Sequence, residues 1–419
     1  MSKLALLGGK PVSETHIGGL PWPPTSEKTG DKLKALYLSG KWSFNSPSEQ
    51  EFEKAYGKYH GAKHGIFMVN GTVTLECALL ALGVGRGDEV IIPALTWIAT
   101  ATAVRDVGAK PVFVDIEATT LCMDPAKFEQ AITPKTKAVI PVHLYGSMAD
   151  LDKIIRIAKK HKLGVIEDCA HMQGGIWNGR GAGSWGDVGS FSFQQSKTVS
   201  AGEAGICLTN DDELADRIFR AKHIGYSIGA TQGGAKQGPP AGLRCHNYRG
   251  TAFQALILAD QLKGLKKLIA TYNRNAAEIE KTVAGLKGVR VQARGRLANT
   301  QGYYALVLIF DSAPMKDIPL STIIAALGAE GLGCAGTYGP VYRHVLFNMG
   351  KNEYRIDGGS CPVAEVVGTV HSVCIGHPIL GNDIKTIRKI CAIIAKVVEN
   401  HMELINYTAT AKKLSEVIS

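Results

Sequence analysis

Short apolar runs alternate with amphipathic stretches between about residues 64 and 224 of the chain. The apolar runs predict strands at Gly65–Val69, Glu89–Pro93, Pro111–Asp115, Ala138–Leu144 and Gly164–Asp168. The stretches between them have helical spacing, at Thr72–Leu82, Ile98–Val107, Pro125–Ile132 and Leu151–His161. Short continuous apolar strands separated by helices are typical of a parallel sheet with helices on both faces. The pattern therefore predicts a large α/β domain with a mostly parallel sheet.

The later part of the chain predicts a smaller α+β domain. Two more strands of the large sheet, Gly189–Phe193 and Gly205–Thr209, come before a Gly- and Pro-rich stretch that predicts a loop at Gly225–Gly242. The later elements are a helix from Phe253 to Leu286, a strand at Tyr303–Phe310 and helices at Leu320–Glu330 and Asp383–Asn406. We predict that residues 1–270 hold an N-terminal segment and the large domain, and that residues 271–419 form the small one. The first 40 or so residues should pack on one of the two domains.

Composition excludes several classes of protein. The chain has 419 residues, and it holds no apolar run of about 18 residues, so no membrane span is expected. The net charge of +10 comes from dispersed basic residues without the dense basic stripe of a nucleic-acid binder. The nine cysteines are scattered without a CxxC pair, so we expect neither a disulfide framework nor a metal site. That cysteine usage and the absence of a secretory signal fit a reducing cytoplasm.

A candidate phosphate site lies between the first predicted strand and the helix that follows it. The sequence there is Asn70, Gly71 and Thr72. Glycine permits a close turn of the backbone, and the free amides and dipole at a helix start favour a phosphate group. The alternative interpretation is an ordinary turn between strand and helix in which Thr72 acts as a cap.

Two polar residues follow the predicted strand Gly164–Asp168. Asp168 ends the strand, and His171 comes three residues later. Because ligands of an open parallel sheet bind at the carboxyl ends of its strands, Asp168 is well placed to meet a cofactor. The alternatives are a helix cap or a surface carboxylate for Asp168 and a hydrogen-bonded core histidine for His171.

A lysine and a tryptophan follow two other predicted strands. Lys197 comes after Gly189–Phe193, and burial there would lower its pKa and suit Schiff-base chemistry. Trp97 comes after Glu89–Pro93 and could stack on a flat ring. The alternatives are a surface lysine and a core aromatic. Together, the four features offer a phosphate cradle, a carboxylate, an amine and an aromatic platform, which are the groups that pyridoxal 5'-phosphate (PLP) requires.

These residues lie in longer stretches that resemble the DegT/DnrJ/EryC1/StrS aminotransferases, which are PLP enzymes of fold type I. The resemblance covers nearly the whole chain, from Leu6–Pro11 to His377–Leu380. Its most specific stretches are Asn70–Thr72, Pro93–Ala101, Pro141–Gly146, Glu167–His171 and Phe191–Lys197. The resemblance implies a large domain with a mostly parallel sheet, a smaller C-terminal α+β domain, and aminotransferase activity with PLP as the cofactor.

The resemblance also implies catalytic roles for three residues. Lys197 would carry the cofactor as a Schiff base, and Asp168 would pair with the pyridine nitrogen. His171 occupies the position of a Gln or His that lies near the phenolic oxygen of the cofactor. The related dehydratases have His in place of the lysine, so Lys197 argues against that reaction. A non-catalytic PLP-binding regulator and a plain interaction protein are the remaining alternatives.

The cofactor-binding residues implied by the resemblance come from two subunits. Trp97 would stack on the ring, and Gly71, Thr72 and Ser192 would hold the phosphate. Asn247 would reach the phosphate of the neighbouring subunit, so the resemblance implies a homodimer with shared active sites.

Within the family, the closest resemblance is to the branch that acts on cyclic ketones. This branch includes L-glutamine:scyllo-inosose and 2-deoxy-scyllo-inosose aminotransferases and 3-amino-5-hydroxybenzoate synthase. The stretches that carry it are Gln194–Lys197, Ala201–Glu203, Val341–Arg343 and Cys361–Glu365. The resemblance implies L-glutamine or L-glutamate as donor and a keto-cyclitol as acceptor, with a nucleotide-linked keto-sugar as the alternative acceptor.

The chain departs from the usual family pattern in three places. Gly250–Ala252 replaces Met, a small polar residue and an acidic one, and this affects the expected subunit interface or substrate pocket. Val73 replaces the Ala of Gly-Thr-Ala, and Ala204 replaces a Gly of Gly-Glu-Gly-Gly. These departures concern the substrate rather than the cofactor chemistry.

Overall fold

The predicted alternation of strands and helices forms a large central sheet in the computed structural model of the protein. The structure describes residues 3–230, 233–235 and 237–408. Residues 231, 232 and 236, within the loop predicted at Gly225–Gly242, lie outside the described residues, as do residues 409–419 at the end of the predicted small domain.

The strands of the described residues are short, from two residues, as at Ile176–Trp177, to five, as at His64–Met68. In chain order they are β1 (His64–Met68), β2 (Glu89–Pro93), β3 (Lys110–Val114), β4 (Thr136–Val139), β5 (Gly164–Asp168), β6 (Ile176–Trp177), β7 (Arg180–Gly181), β8 (Val188–Ser192), β9 (Gly205–Thr209), β10 (Arg290–Val291), β11 (Ala298–Thr300), β12 (Ala305–Ile309), β13 (Ala335–Gly336), β14 (Arg355–Ile356) and β15 (Ser372–Gly376).

The α-helices are α1 (Glu27–Ser39), α2 (Pro47–His60), α3 (Gly71–Ala81), α4 (Ala99–Asp106), α5 (Pro125–Gln130), α6 (Leu151–His161), α7 (Asp212–Lys222), α8 (Ala252–Val283), α9 (Leu320–Ala329), α10 (Pro362–Val370), α11 (His377–Leu380) and α12 (Ile384–Glu399). Short 3-10 turns occur at Ala5–Leu7, Val341–Arg343 and Asp357–Gly359. None of the helices within the described ranges combines the length and apolar composition needed to cross a membrane.

The large sheet has the strand order β1-β9-β8-β5-β4-β2-β3-β14. Strand β9 runs antiparallel to β1 and β8, and the other neighbouring pairs are parallel. The mostly parallel α/β sheet predicted from the apolar runs is therefore confirmed. Its β4, β2 and β3 are buried almost throughout, which explains why they are continuous apolar runs rather than alternating ones.

The largest differences from the predicted boundaries occur in two elements. The strand predicted at Ala138–Leu144 ends at Val139, because Pro141 has no N–H to donate to a sheet ladder. Val142 nevertheless makes a single parallel bridge with Asp168. The helix predicted at Asp383–Asn406 is interrupted: α12 ends at Glu399, the side chain of Asn400 donates to the carbonyl of Lys396 at 2.7 Å, and residues 401–408 are helical again.

A smaller sheet forms the C-terminal unit and has the order β10-β12-β15-β13. The N-terminal segment packs on this unit, as expected: Ile17 bridges to Leu332, and the backbone N–H groups of Ala5 and Val12 donate to the Glu330 carboxylate. The division at residue 270 falls inside α8 and stays a prediction. One later strand, β14, joins the edge of the large sheet next to β3.

Candidate active site

A cavity of about 590 Å³ opens where β2, β5 and β8 end and α3 begins. Parallel neighbours end at the same edge of a sheet, so residues far apart in the chain meet there. Seven of the eight predicted site residues line the cavity: Gly71, Thr72, Trp97, Asp168, His171, Ser192 and Lys197. The eighth, Asn247, is exposed and is not among the residues that line the cavity of its own chain.

The start of α3 lies against the end of β8. Asn70 caps the helix, because its side-chain oxygen accepts hydrogen bonds from the N–H groups of Thr72 and Val73 at 3.0 Å each. The cap expected at Thr72 in the alternative interpretation is therefore supplied by Asn70. A Cβ atom on Gly71 would lie 2.5 Å from that of Ser192, so only glycine permits this close approach. The helix start and Ser192 together form a cradle with the polarity that a phosphate requires.

Asp168 is buried at the end of β5. The hydroxyl of Thr100 donates to one carboxylate oxygen at 3.0 Å, and the N–H of Ala170 donates to the other at 3.2 Å. Burial raises the pKa of Asp168, and these two hydrogen bonds and the charge of Lys197 act against that rise. In the described part of the chain, no ion pair neutralises this carboxylate, so a cationic group bound in the cavity would stabilise it.

The amine of Lys197 lies over the face of the Tyr304 ring, 4.6 Å from its centroid. Burial lowers the pKa of Lys197 to about 8, and the charge of Asp168 acts in the opposite direction. A lysine with such a pKa is neutral in a useful fraction of molecules near pH 7, and a neutral amine is the nucleophile that attacks a carbonyl.

His171 is buried and neutral. Its ring stacks on Tyr304, with centroids 3.8 Å apart and planes 13° apart. Burial and the charge of Lys197 hold the pKa of His171 well below its usual value. The backbone N–H of Tyr145 donates to Nδ1 at 3.3 Å, so the ring proton is on Nε2, which remains available as a donor.

Trp97 lies at the open side of the cavity. Its side chain is 46% exposed, and its ring centroid lies 5.5 Å from that of Tyr338 and 5.6 Å from that of His344. An exposed tryptophan at the mouth of a cavity offers a large flat surface for stacking. The interpretation of Trp97 as a core aromatic is therefore wrong.

Several lining residues were not predicted from the sequence. Thr100 lies within the Pro93–Ala101 stretch, but its role as a hydrogen-bond donor to Asp168 is seen only in the structure. Tyr304 and Tyr338 reach the cavity from the C-terminal half, where the sequence shows a strand and a loop without a chemical motif. Asn70, which belongs to the predicted phosphate turn, also lines the cavity. The other lining residues are Leu75, Thr96, Ala99, Val142, Leu144, Ala170, Gln194, Ser196 and Glu203.

Glu167, the neighbour of Asp168 on β5, supports the end of the strand. Its fully buried carboxylate accepts hydrogen bonds from the N–H groups of Gly183, Trp185 and Gly186 and lies 3.1 Å from Nε2 of His143. Burial acts to raise the pKa of Glu167, but these contacts hold it below the usual value. The two acidic residues thus differ: Glu167 is fully engaged with the protein, and Asp168 faces the cavity.

The residues present fit PLP. Gly71 and Ser192 form a polar cradle in which a Cβ would clash, Asp168 is buried without an ion pair among the described residues, and Lys197 offers an amine with a lowered pKa. A protonated pyridine nitrogen would supply the charge that Asp168 lacks. Fold and site together define a PLP-dependent aminotransferase.

The chain belongs to the DegT/DnrJ/EryC1/StrS aminotransferase family, whose model matches residues 25–389. It is 37% identical over 404 residues to the L-glutamine:2-deoxy-scyllo-inosose aminotransferase of Streptoalloteichus tenebrarius, covering 91% of this chain and 95% of that protein. The family resemblance inferred from the motifs is confirmed.

Solved structures agree with this assignment. The structure of 3-amino-5-hydroxybenzoic acid synthase superposes with a TM-score of 0.82 at 26% identity and covers 92% of this chain and 100% of that one. The structure of DesI in the presence of its TDP-sugar product also gives a TM-score of 0.82 at 26% identity, covering 97% of this chain and 99% of that one. The fold type I architecture is therefore confirmed.

Proposed function

We propose that the protein transfers an amino group from L-glutamine or L-glutamate to a cyclic ketone of the keto-cyclitol class, such as scyllo-inosose or its 2-deoxy form. The observation that carries this proposal is the 37% identity, over nearly the full length of both chains, to an aminotransferase named for L-glutamine and 2-deoxy-scyllo-inosose. Such a reaction belongs to the biosynthesis of aminocyclitol antibiotics. The nine free cysteines support a cytoplasmic location.

The reaction occurs in two half-reactions with a ping-pong order. In the first, the donor leaves its amino group on the enzyme and departs as a 2-oxo acid. In the second, the ketone takes that amino group, and its carbonyl oxygen leaves as water. PLP, when bound, supplies the electron sink that makes the hydrogen on the donor Cα acidic enough to remove.

Lys197 is the residue that moves the proton. With a pKa of about 8, its Nζ accepts a proton from the donor Cα and can later return it. Tyr304 lies beneath the amine and limits where it can go. The lowered pKa makes both the proton-accepting and the proton-donating form accessible near neutral pH.

The other site residues bind and orient. Asp168 would hold the cofactor ring nitrogen in its protonated form, and His171 would present Nε2–H as a neutral donor near the phenolic oxygen. The start of α3 at Gly71 and Thr72, with Ser192, would bind the phosphate, and Trp97 would stack on the ring. The contacts that support these roles are the burial of Asp168, the hydrogen bond that fixes the His171 tautomer and the packing of Gly71 on β8.

We also propose a homodimer with shared active sites, in which Asn247 reaches the phosphate of the neighbouring subunit. Two backbone hydrogen bonds support it, because they hold the loop against α7: His246 N–H donates to Ala221 O at 2.7 Å, and Tyr248 N–H donates to Lys222 O at 2.9 Å. Between them, Asn247 is exposed and does not line the cavity of its own chain.

Mixed subunits test the shared site. Lys197→Ala and Asn247→Ala are each expected to be inactive as homodimers, whereas a mixture should regain activity because one of its two sites receives both native residues. Sizing of the mixture establishes whether subunits have exchanged. Exchange without any gain of activity would disprove the role of Asn247 across the interface.

The substrate class is tested with the aminated form of the enzyme. L-Glutamine or L-glutamate converts the protein to that form, and candidate ketones are then screened for the return of the original absorbance. Borohydride reduction before the donor is added should attach the cofactor to the peptide that contains Lys197. Discharge by keto-cyclitols supports the proposal, and discharge by nucleotide-linked keto-sugars alone would favour the second candidate, which the similarity to DesI suggests.

A further inference from the structure

The turn that carries Lys197 is held by two ring N–H donors from distant parts of the chain. The indole Nε1–H of Trp22 donates to the backbone carbonyl of Lys197 at 3.0 Å. The imidazole Nε2–H of His377 donates to the preceding carbonyl, that of Ser196, at 2.9 Å. Trp22 belongs to the N-terminal segment and His377 begins α11 after the small sheet, so neither donor belongs to the large sheet.

The proton on Nε2 of His377 is required by its surroundings. A carbonyl oxygen can only accept, so Nε2 must be the donor in the contact with Ser196. Burial lowers the pKa of His377 to about 4, so the ring is neutral at ordinary pH and carries one proton. Nδ1 therefore accepts from the hydroxyl of Tyr272 at 3.1 Å, and this contact selects the tautomer.

The two donors also contact each other, and His377 contacts Tyr304, whose ring lies beneath the lysine amine. The Trp22 ring meets the His377 ring edge-on, with centroids 4.6 Å apart and an interplanar angle of 84°. The backbone N–H of His377 donates to the carbonyl of Tyr304 at 3.0 Å. The hydroxyl of Tyr304 lies 3.1 Å from that of Ser196. One connected set of contacts therefore fixes both the backbone of Lys197 and the ring over which its amine lies.

We propose that Trp22 and His377 are positioning residues that hold the Lys197 turn through its two consecutive carbonyls and so keep the amine in place over Tyr304. The inference rests on the proposed catalytic role of Lys197. A small rotation of a peptide group at the base of a long side chain displaces its tip by more than it displaces the backbone. Hydrogen bonds to both carbonyls restrict that rotation because they are directional. Hydrophobic packing alone is not directional and restricts it less.

The direct test is Trp22→Phe, which removes the N–H donor and keeps an aromatic ring. Trp22 is partly exposed, so the variant should fold. The matched control is Trp42→Phe, since the indole of Trp42 also donates to a backbone carbonyl, that of Tyr37 at 2.8 Å, on the exposed surface. Loss of one such hydrogen bond is expected to lower kcat about two- to tenfold in Trp22→Phe, with a smaller change in KM for the donor. Trp42→Phe should leave kcat unchanged.

A second readout does not depend on the cofactor. In protein freed of PLP, the rate at which an amine-specific reagent modifies Lys197 is followed against pH by mass spectrometry of the Lys197 peptide. A loosened turn lets water reach the amine and raises its pKa, so the midpoint of the profile should move upward by about half a pH unit or more. At a pH below the midpoint, such a shift lowers the neutral fraction of the amine about threefold. The midpoint is used because a change in accessibility alone alters the rate without moving it.

His377 is tested with a pair of variants. His377→Gln can still donate from a side-chain N–H near the position of Nε2, whereas His377→Leu cannot. We expect His377→Gln to retain most of the activity and the wild-type midpoint of Lys197 modification. We expect His377→Leu to retain neither. Equal loss in both variants, with Trp22→Phe unchanged in kcat and midpoint, would overturn the proposal. If the wild type formed no Schiff base with PLP, the proposed function would fail, but the midpoint comparison would still decide the inference.

Discussion

Two lysines of this protein, the buried Lys222 and the partly exposed Lys197, have opposite surroundings. Nζ of Lys222 donates to Phe67 O at 2.6 Å and to a Glu49 oxygen at 3.1 Å, and lies 3.6 Å from a Glu53 oxygen. Among the described residues, no hydrogen bond or ion pair engages Nζ of Lys197. Both amines lie over an aromatic face, at 4.6 Å for Lys197 and 5.1 Å for Lys222, so the rings do not distinguish them.

The difference lies in the oxygens around each amine. Three acceptors hold Lys222, and that cluster joins α2, α7 and the end of β1 beneath the loop that carries Asn247. Lys197 has only the distant charge of Asp168 to oppose its desolvation, so its pKa falls to about 8. Burial by itself does not make a lysine reactive, but burial without a partner for the charge does. We therefore expect Lys222 to contribute to stability and Lys197 to the proposed chemistry.

The largest expected effect is on activity at Lys197. Lys197→Ala removes the proposed nucleophile and proton carrier, and we expect transamination to fall at least about ten-thousandfold. The fold should persist, because no hydrogen bond to the amine is lost. Steady-state kinetics and circular dichroism measure the two outcomes. Lys160→Ala is the control, since its exposed amine pairs only with Glu129 on the surface. A Lys197→Ala enzyme with near-normal turnover would refute the assignment.

At Lys222, the expected effect is on stability. Lys222→Met leaves the buried carboxylates of Glu49 and Glu53 without a countercharge, which should lower the free energy of unfolding by about 3–5 kcal/mol. Denaturant unfolding of the protein measures it. The double variant Lys222→Met with Glu49→Gln should recover part of the loss, since it removes one of the two unpaired charges. A loss below about 1 kcal/mol would show that this cluster is not what holds α2 and α7 together.

Seven of the twenty residues that line the cavity were predicted, and most of these lie at or after the ends of apolar strands. Asp168 and Lys197 come at or just after strand ends, and the rule that parallel strands bring their carboxyl ends together predicts their proximity. Gly71 was predicted from turn chemistry, and the structure adds the reason, its close approach to Ser192. The alternation of strands and helices from β1 to β5, and the later strands β8 and β9, followed from hydrophobic spacing alone.

The roles of the remaining residues could not be predicted, because they depend on contacts in the folded structure and not on a pattern in the sequence. Trp22 and His377 lie 355 positions apart in the chain and meet only in the folded structure. Tyr304 lies in the strand that hydrophobic spacing predicts at Tyr303–Phe310, but nothing in that spacing shows that its ring reaches the cavity. Lys222 has no motif at all, and its burial depends on Glu49 and Glu53 from another helix.

The third expected effect is a gain in the free energy of unfolding on substitution of Lys197, opposite in sign to the loss expected for Lys222→Met. Because burial lowers the pKa of Lys197 from 10.5 to about 8, the unfolded chain binds more protons than the folded one between those values, and stability there rises with pH. Below pH 8 the amine is protonated in both states, so the cost of burying its charge is fully present. Lys197→Met in protein freed of PLP should therefore be stabilising at pH 7 by about 1–3 kcal/mol.

This gain should shrink as the pH rises from 8 towards 10.5, where the wild-type amine becomes neutral in both states. Denaturant unfolding at pH 7 and at pH 10 measures the change, with Lys160→Met as the exposed control that should show none. If Lys197→Met were destabilising at pH 7, the amine of Lys197 would have a stabilising partner in the folded protein, and the distinction between the two lysines would fail.

The smallest expected effect concerns the ring beneath Lys197. Tyr304→Phe removes the hydroxyl that lies 3.1 Å from that of Ser196 but keeps the aromatic face under the amine. We expect kcat to change about threefold or less, the effect of one partly exposed hydrogen bond. Tyr304→Leu removes the face as well, which also supports His171 by stacking, so its loss should be larger.

The pair of Tyr304 variants separates the two contributions, because they share the missing hydroxyl and differ only in the ring. Kinetics and the pH midpoint of Lys197 modification should show Tyr304→Phe close to the wild type and Tyr304→Leu displaced from it. Phe219→Leu, beneath the amine of Lys222, is the matched control and should leave the Lys197 midpoint unchanged. Equal displacement by Phe and Leu at position 304 would mean that the hydroxyl, not the aromatic face, keeps the amine of Lys197 in place, and Lys197 would then resemble Lys222 in depending on an oxygen.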